Sequence, residues 1–245
     1  MAQLNLKSLI FLALVAFAGV ACSSSPTGRS QMVLKNDQEL SVEAARQFAE
    51  MKANMPLETD RTKIDYIHCV AQAVVMELPP DYRDLDWEMA IFQSDSVNAF
   101  AMPGGKIGVM TGILKAAQNQ DQLAAVIGHE IAHVTARHAN ERASRGSFSN
   151  VGVQVAAVLL GGGHQGATYS AYEALQAGAA LGIMLPFSRS QESEADVIGL
   201  EYMAKAGFDP RESVPLWQNM GQEAEEAPAE FLSTHPSSEK RIDQL

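Results

Sequence analysis

His129-Glu130-Ile131-Ala132-His133 sets two imidazoles four residues apart with a carboxylate beside the first. On an α-helix, residues four apart lie about 40° apart around the axis, so both rings leave one face and can converge on one cation. Glu130 sits beside that face, near enough to act on a water held there. This is the HExxH pattern of a zinc site whose glutamate serves as general base. The flanking Val126, Ile127, Ile131 and Val134 are apolar, as a helix carrying a site into a core requires. Two histidines leave such a site incomplete, because catalytic zinc usually takes three protein ligands plus a water. The metzincin extension needs Gly and His at fixed positions after the second histidine. Here positions 136 and 139 are both Ala, so that pattern fails. His138, five residues beyond His133, stands about 140° around the helix and is expected to miss the metal.

A third ligand is sought in Ser188-Arg189-Ser190-Gln191-Glu192-Ser193-Glu194-Ala195-Asp196. Glu192 and Asp196 are four apart and share a helix face. One can ligate zinc while the other accepts the second N–H of a ligand histidine. Glu194 points about 160° away from Asp196. Taken alone, this stretch also reads as an exposed acidic helix face.

The elements that must position these groups are mostly helical. Helices are expected over Glu39–Met51, Thr62–Leu78, Thr111–Ala117, Gln122–Ser144 (which holds the motif) and Phe187–Lys205, with Gly207 closing the last. Asp209-Pro210 opens another, reaching about Met220. Glu223, Glu225, Glu226 and Glu230 read as a solvated acidic loop, and a short helix ends the chain. Trp87–Phe92, Val97–Ala101 and Lys106–Met110 are β-compatible, with Pro103-Gly104-Gly105 as turn chemistry between the last two. They predict one small sheet, expected to be antiparallel, just ahead of the motif. Residues 146–186, rich in Gly and Ala around Gly161-Gly162-Gly163, read as a helical hairpin with a mobile tip. Either a plain core hairpin or a lid touching a membrane fits them. The fold class is α+β, a mostly helical zincin-type domain over 36–245.

The chain has 245 residues, enough for one sizeable core, and a net charge of -11. That charge, with no basic stripe, argues against nucleic acid as a partner. Leu9–Val20 behind Lys7 is too short for an ordinary membrane span and reads as the apolar part of a secretory signal, residues 1–21. Gly19-Val20-Ala21-Cys22 resembles a bacterial lipobox, although Gly stands at 19 where Leu is usual. Cys22 would then be the lipidated N-terminus, and 22–35 a flexible tether. Ser23 after the cysteine suggests delivery to the outer membrane, by resemblance. A soluble periplasmic protein is the alternative. Cys69, among Ile67, Val70, Val74 and Val75, is expected to be a buried structural thiol.

Together, the HExxH helix, the Glu192-x-x-Ala195-Asp196 helix, the Val97-Asn98-Ala99-Phe100 strand with Gly104-Gly105, and Thr234-His235-Pro236 resemble the HtpX/BepA/LoiP group of gluzincin metallopeptidases. That group also includes the CAAX prenyl protease, and the likeness covers about residues 27 to 245. Thr27-Gly28-Arg29-Ser30-Gln31 looks like the start of its lipoprotein members. The resemblance implies one Zn2+ held by His129, His133 and Glu192, with Glu130 as catalytic base and Asp196 supporting a ligand. It also implies a His235 that either closes the open position on the metal or hydrogen-bonds an oxyanion, and the closing role is the one expected. The implied activity is endopeptidase cleavage of unfolded or misassembled periplasmic or outer-membrane proteins, in envelope quality control. A substrate would lie along Asn98, Ala99 and Phe100 as an added strand. The rival reading is a lipid-anchored chaperone or assembly factor that seldom cuts. The chain departs from HtpX in lacking membrane-spanning pairs, and from BepA in ending where BepA continues into a repeat domain.

Overall fold

The computed structural model describes residues 22–146, 187–226, 231, 232 and 235. The leader, residues 147–186 of the expected hairpin, and the C-terminal helix lie outside them. Among the described residues no helix is long and apolar enough to cross a membrane.

The architecture is α+β and mostly helical. Helix α1 spans Asp37–Asn54, capped by the Asn36 side chain; α2 spans Arg61–Met76, capped by Asp60. The short α3 covers Pro80–Arg83. Strands β3 (Glu88–Phe92), β4 (Ala99–Met102) and β5 (Lys106–Met110) follow, then the short α4 (Ile113–Ala116). The motif lies on α5, Gln120–Thr135, whose Asn119 side chain accepts the Gln122 N–H. Helix α6 spans Arg189–Lys205, opened by a Ser188–Gln191 capping box that sets Glu192 in its first turn. A 3-10 turn, Pro210–Glu212, leads into α7, Ser213–Glu226. The acidic residues to Glu226 therefore continue a helix and do not form the expected loop.

The three-stranded sheet has the order β3-β5-β4. It is mixed: β4 pairs antiparallel with β5, whereas β3 runs parallel to β5. The expectation of an antiparallel sheet holds for β4 and β5, which Gly104 and Gly105, at φ 79° and 80°, join by a tight turn, and fails for β3. Strand β3 is then left to pair with the far side of β5. Every residue of β5 is buried. Its unbroken run without alternation is that of a strand covered on both faces.

The core fills the space between the sheet, α2, α5, α6 and α7. On α2 the buried stripe is Ile67, Val70, Ala71 and Val74. Cys69 lies off that stripe and is exposed, which corrects the buried thiol. Helices α5 and α6 meet backbone to backbone. A Cβ on Gly128 would stand 2.8 Å from Gly199 O, and one on Gly199 only 2.7 Å from His129 N. That approach brings the acidic turns of α6 within reach of the motif histidines.

Two further departures concern what surrounds α5. The helix does not run on to Ser144: Arg137 takes φ 58°, a left-handed conformation unfavourable for a side chain of its size, and helical residues 138–146 leave in a new direction. The segment expected to be a tether is also folded. Cys22–Ser24 (β1) pairs antiparallel with Ser30–Met32 (β2) across a turn in which Gly28 has φ 86°. Leu34 N–H bonds Ser144 Oγ and Lys35 N–H bonds Asn140 Oδ1, so the chain stays on the body up to α1. Composition alone could not foresee this, because the polar turn is fixed by partners more than a hundred residues away.

Candidate metal centre

His129, His133, Glu192 and His235, all buried, bring one ligand atom each to within 4.8 Å of one another. His129 Nε2 is 3.1 Å from His133 Nε2 and 3.3 Å from His235 Nδ1. Glu192 Oε1 lies 3.4 Å from His133 Nε2 and 3.1 Å from His235 Nδ1, and its Oε2 lies 3.5 Å from His129 Nε2. Ligands about 2.0–2.1 Å from a tetrahedral Zn2+ stand about 3.3 Å apart, so these separations fit one ion. Imidazole and carboxylate donors suit that metal.

Aromatic rings hold the imidazoles in place. Phe187 stacks on His133 at 4.0 Å between centroids, and Phe231 stacks on His235 at 4.5 Å. Trp217 meets His129 edge-on. His235 closes one turn with Phe231, its N–H bonding Phe231 O at 2.8 Å.

The pocket favours positive charge. Burial works against a proton on His129, but hydrogen bonds to Asp196 and Glu192 outweigh it and raise the ring to about 10. Burial acts to raise Glu192, yet hydrogen bonds from His129 and His235 prevail and hold its carboxyl at about 2. Glu130 differs: burial dominates and pushes its pKa up. Its Oε1 is buried with no hydrogen-bond partner among the described residues and lies 3.4 Å from His235 Nε2. The Ala101 backbone N–H bonds the same carboxyl. A carboxylate that is desolvated, tilted upward in pKa and pointed at the cluster is arranged to accept a proton.

Asp196 does not enter the cluster. Its Oδ1 takes the other nitrogen of His129, Nδ1, at 2.9 Å. Asn98 and Ala99 are buried and Phe100 half-buried. Phe100 and Ala99 lie on β4, the outer strand beside Glu130, and Asn98 O accepts the Met110 N–H. Cys22 begins β1, far in sequence from the cluster.

Sequence reasoning missed the groups behind His133. His138 Nδ1 lies 2.8 Å from His133 Nδ1, and His138 Nε2 lies 3.1 Å from Glu194 Oε2. Glu194 is buried, not on an exposed acidic face. Burial acts to raise it, but hydrogen bonds from Ser25, Thr27, His138 and Arg29 hold it at about 2.

The model of peptidase family M48 matches residues 62–245, the greater part of the chain. The chain belongs to peptidase family M48. Within M48 it is 40% identical over 164 residues to mitochondrial metalloendopeptidase OMA1 of Schizosaccharomyces pombe, covering 66% of this chain and 46% of that one. Metalloendopeptidase OMA1 of Bos taurus is 31% identical over 247 residues, 91% of this chain and 45% of its own length. The beta-barrel assembly-enhancing protease of Escherichia coli (strain K12) is 29% identical over 198 residues, 79% and 40% respectively. The chain thus spans less than half the length of these curated relatives. The expected resemblance to gluzincin metallopeptidases is borne out at the level of the family, and the His/Glu cluster is one that could hold its metal.

Proposed function

We propose that this M48 chain is a zinc-dependent endopeptidase acting on unfolded or misassembled proteins in envelope quality control. The observation that carries the reading is the convergence of His129, His133, Glu192 and His235 beside the buried Glu130 Oε1, which has no hydrogen-bond partner among the described residues and faces His235 Nε2 at 3.4 Å. His129, His133 and Glu192 would hold the ion. When bound, it supplies Lewis acidity toward a scissile carbonyl and acidifies a water. Glu130 takes the water proton and passes it to the leaving amine. Asp196 takes His129 Nδ1 and so leaves Nε2 facing the other ligand atoms, where it would hold the ion. Strand β4 is the outer strand next to Glu130, so a substrate laid along Asn98, Ala99 and Phe100 would be read through its main chain. A cavity of about 290 Å³, bordered by Ala101, Pro103, His133, Val134 and Phe187, would take one apolar side chain of that substrate. Main-chain pairing with one shallow preference suits unfolded clients. Comparison of envelope proteomes carrying wild type and Glu130→Gln tests the reading as a whole. Clients should accumulate with the variant, and identical proteomes would overturn the role.

His235 is read as a plug. Its Nδ1 stands beside His129 Nε2 and Glu192 Oε1, and the residue is 2% exposed. A fourth protein ligand closes the position that catalysis needs open. If the closed form dominates, His235→Ala should raise basal cleavage of an unfolded substrate by about tenfold or more, since the competent fraction limits the rate. Turnover at or below wild type overturns the plug. A fall of about 10²–10³ with KM unchanged would instead assign His235 to oxyanion stabilisation.

The anchor is proposed at Cys22, on the strength of Gly19-Val20-Ala21 before it, and places the enzyme on the periplasmic side of the outer membrane. Cys22→Ser should release the chain from membranes and abolish palmitate labelling. Persistent labelling rules Cys22 out.

A further inference from the structure

We propose that Arg29 and Glu194 are positioning residues for His133, acting through His138, so that the N-terminal hairpin sets the geometry of the metal centre. The inference rests on the metal reading above. His133 turns Nε2 toward the cluster. If that nitrogen gives its lone pair to an ion, the ring's only proton sits on Nδ1. Its neighbour there, at 2.8 Å, is another imidazole nitrogen, His138 Nδ1. Two nitrogens that close must be one donor and one acceptor. His133 Nδ1–H therefore donates, His138 Nδ1 accepts, and the proton of His138 sits on Nε2. That proton points at Glu194 Oε2, 3.1 Å away. One tautomer is left for each ring.

The two motif histidines are thus supported differently. His129 meets the carboxylate of Asp196 directly, at 2.9 Å. His133 reaches the carboxylate of Glu194 through a neutral imidazole. In both cases negative charge behind the ring fixes its orientation and strengthens the lone pair on Nε2.

Glu194 is in turn held from the N-terminal turn. Arg29 Nε donates to Glu194 Oε2 at 2.7 Å, and Thr27 Oγ1 donates to Glu194 Oε1 at 2.5 Å. The remaining edge of the guanidinium makes a bidentate pair with Glu141 Oε1 and Oε2, at 2.9 and 2.8 Å. Arg145 and Gln191 also donate to Glu141. The side chains of Glu141 and Glu194 are 0% and 2% exposed. Two buried carboxylates on different helices share one planar cation, a geometry that lysine cannot reproduce. The left-handed Arg137 is what turns residues 138–146 so that His138 faces back to His133. Residues 27–29 lie ahead of residues 62–245, which the M48 model matches.

The test uses the full chain, with Zn2+ affinity measured by chelator competition and the visible spectrum of the Co2+-loaded protein as a reporter of ligand geometry. Arg29→Met and Glu194→Gln should each weaken Zn2+ binding by about 10–100-fold and shift the Co2+ bands. Their combination should cost no more than the worse single change, because both act through one chain of contacts. Arg29→Lys should recover only part of the affinity. Arg46→Met, at an exposed arginine, should change nothing. Folded variants with wild-type affinity and an unshifted Co2+ spectrum overturn the inference, as do fully additive losses. If Arg29→Met does not fold, Glu194→Gln, which keeps the side-chain shape, decides alone. Wild type that binds no Zn2+ overturns the metal reading. Wild type that binds it while the variants match overturns only the relay.

Discussion

Glu130→Gln is expected to lose about 10²–10⁴-fold in turnover, the range that a positioned general base contributes, while keeping its metal. Glu130 follows His129 directly and so leaves α5 about 100° away from the ligand face. It is not one of the four groups that converge. Its carboxyl is fixed by the Ala101 N–H, a bond that the amide oxygen of glutamine can keep. Glutamine fills the same space, so packing against the buried surroundings is preserved. What it cannot do is accept a proton. The raised pKa of Glu130 has burial as its chief cause, so a neutral side chain there also avoids a desolvation cost, and the variant should melt no lower than wild type. Steady-state kinetics on an unfolded protein, with metal analysis of the same sample, gives the answer. Retained cleavage in a metal-loaded variant would sink the mechanism. Loss of metal together with activity would make Glu130 a ligand and force the cluster to be redrawn.

The parts of the site that were legible in the sequence were those written in helical spacing. His129 and His133 on one face follow from four-residue separation, and so does the pairing of Glu192 with Asp196. Spacing did not say which of those carboxylates enters the cluster. Three-dimensional placement does: Glu192, in the first turn of α6, lies among the histidines, and Asp196, one turn on, reaches only His129 Nδ1. Glu194 shows the limit of angular reasoning. Its direction away from Asp196 was read rightly, but that side of α6 is covered by residues 138–146 and the N-terminal turn, so it is buried and paired. His138 was hidden for a related reason. Ala136-Arg137-His138 holds no glycine or proline, and nothing local announces that the helix stops at Thr135. The break is held by contacts remote in sequence, including Arg137 with Asp37. Cys69 failed at finer grain: the helix was right and the face was wrong. The sense of β3 was missed because direction in a sheet depends on which side of β5 is free, and no single strand records that.

Glu192→Ala should empty the metal site more completely than any other single carboxylate change. Glu192 is 0% exposed, and both of its oxygens face ligand nitrogens. It is also the one anion within the cluster. Without it, a divalent ion would have only neutral imidazoles as ligands in a buried pocket, with no directly bound anion to offset its desolvation. The loss of Zn2+ affinity should therefore exceed the roughly 10–100-fold typical of groups that only support a ligand. Asp196→Ala and Glu194→Ala should fall within that supporting range, each acting on one histidine. An exposed carboxylate such as Glu43, paired with Arg46 and Gln47 on the surface of α1, should show no effect. Metal content measured after dialysis at a fixed chelator concentration ranks the four variants. If Asp196→Ala empties the site while Glu192→Ala stays loaded, the roles of the two carboxylates are reversed, and α6 would have to present its second turn to the ion instead of its first.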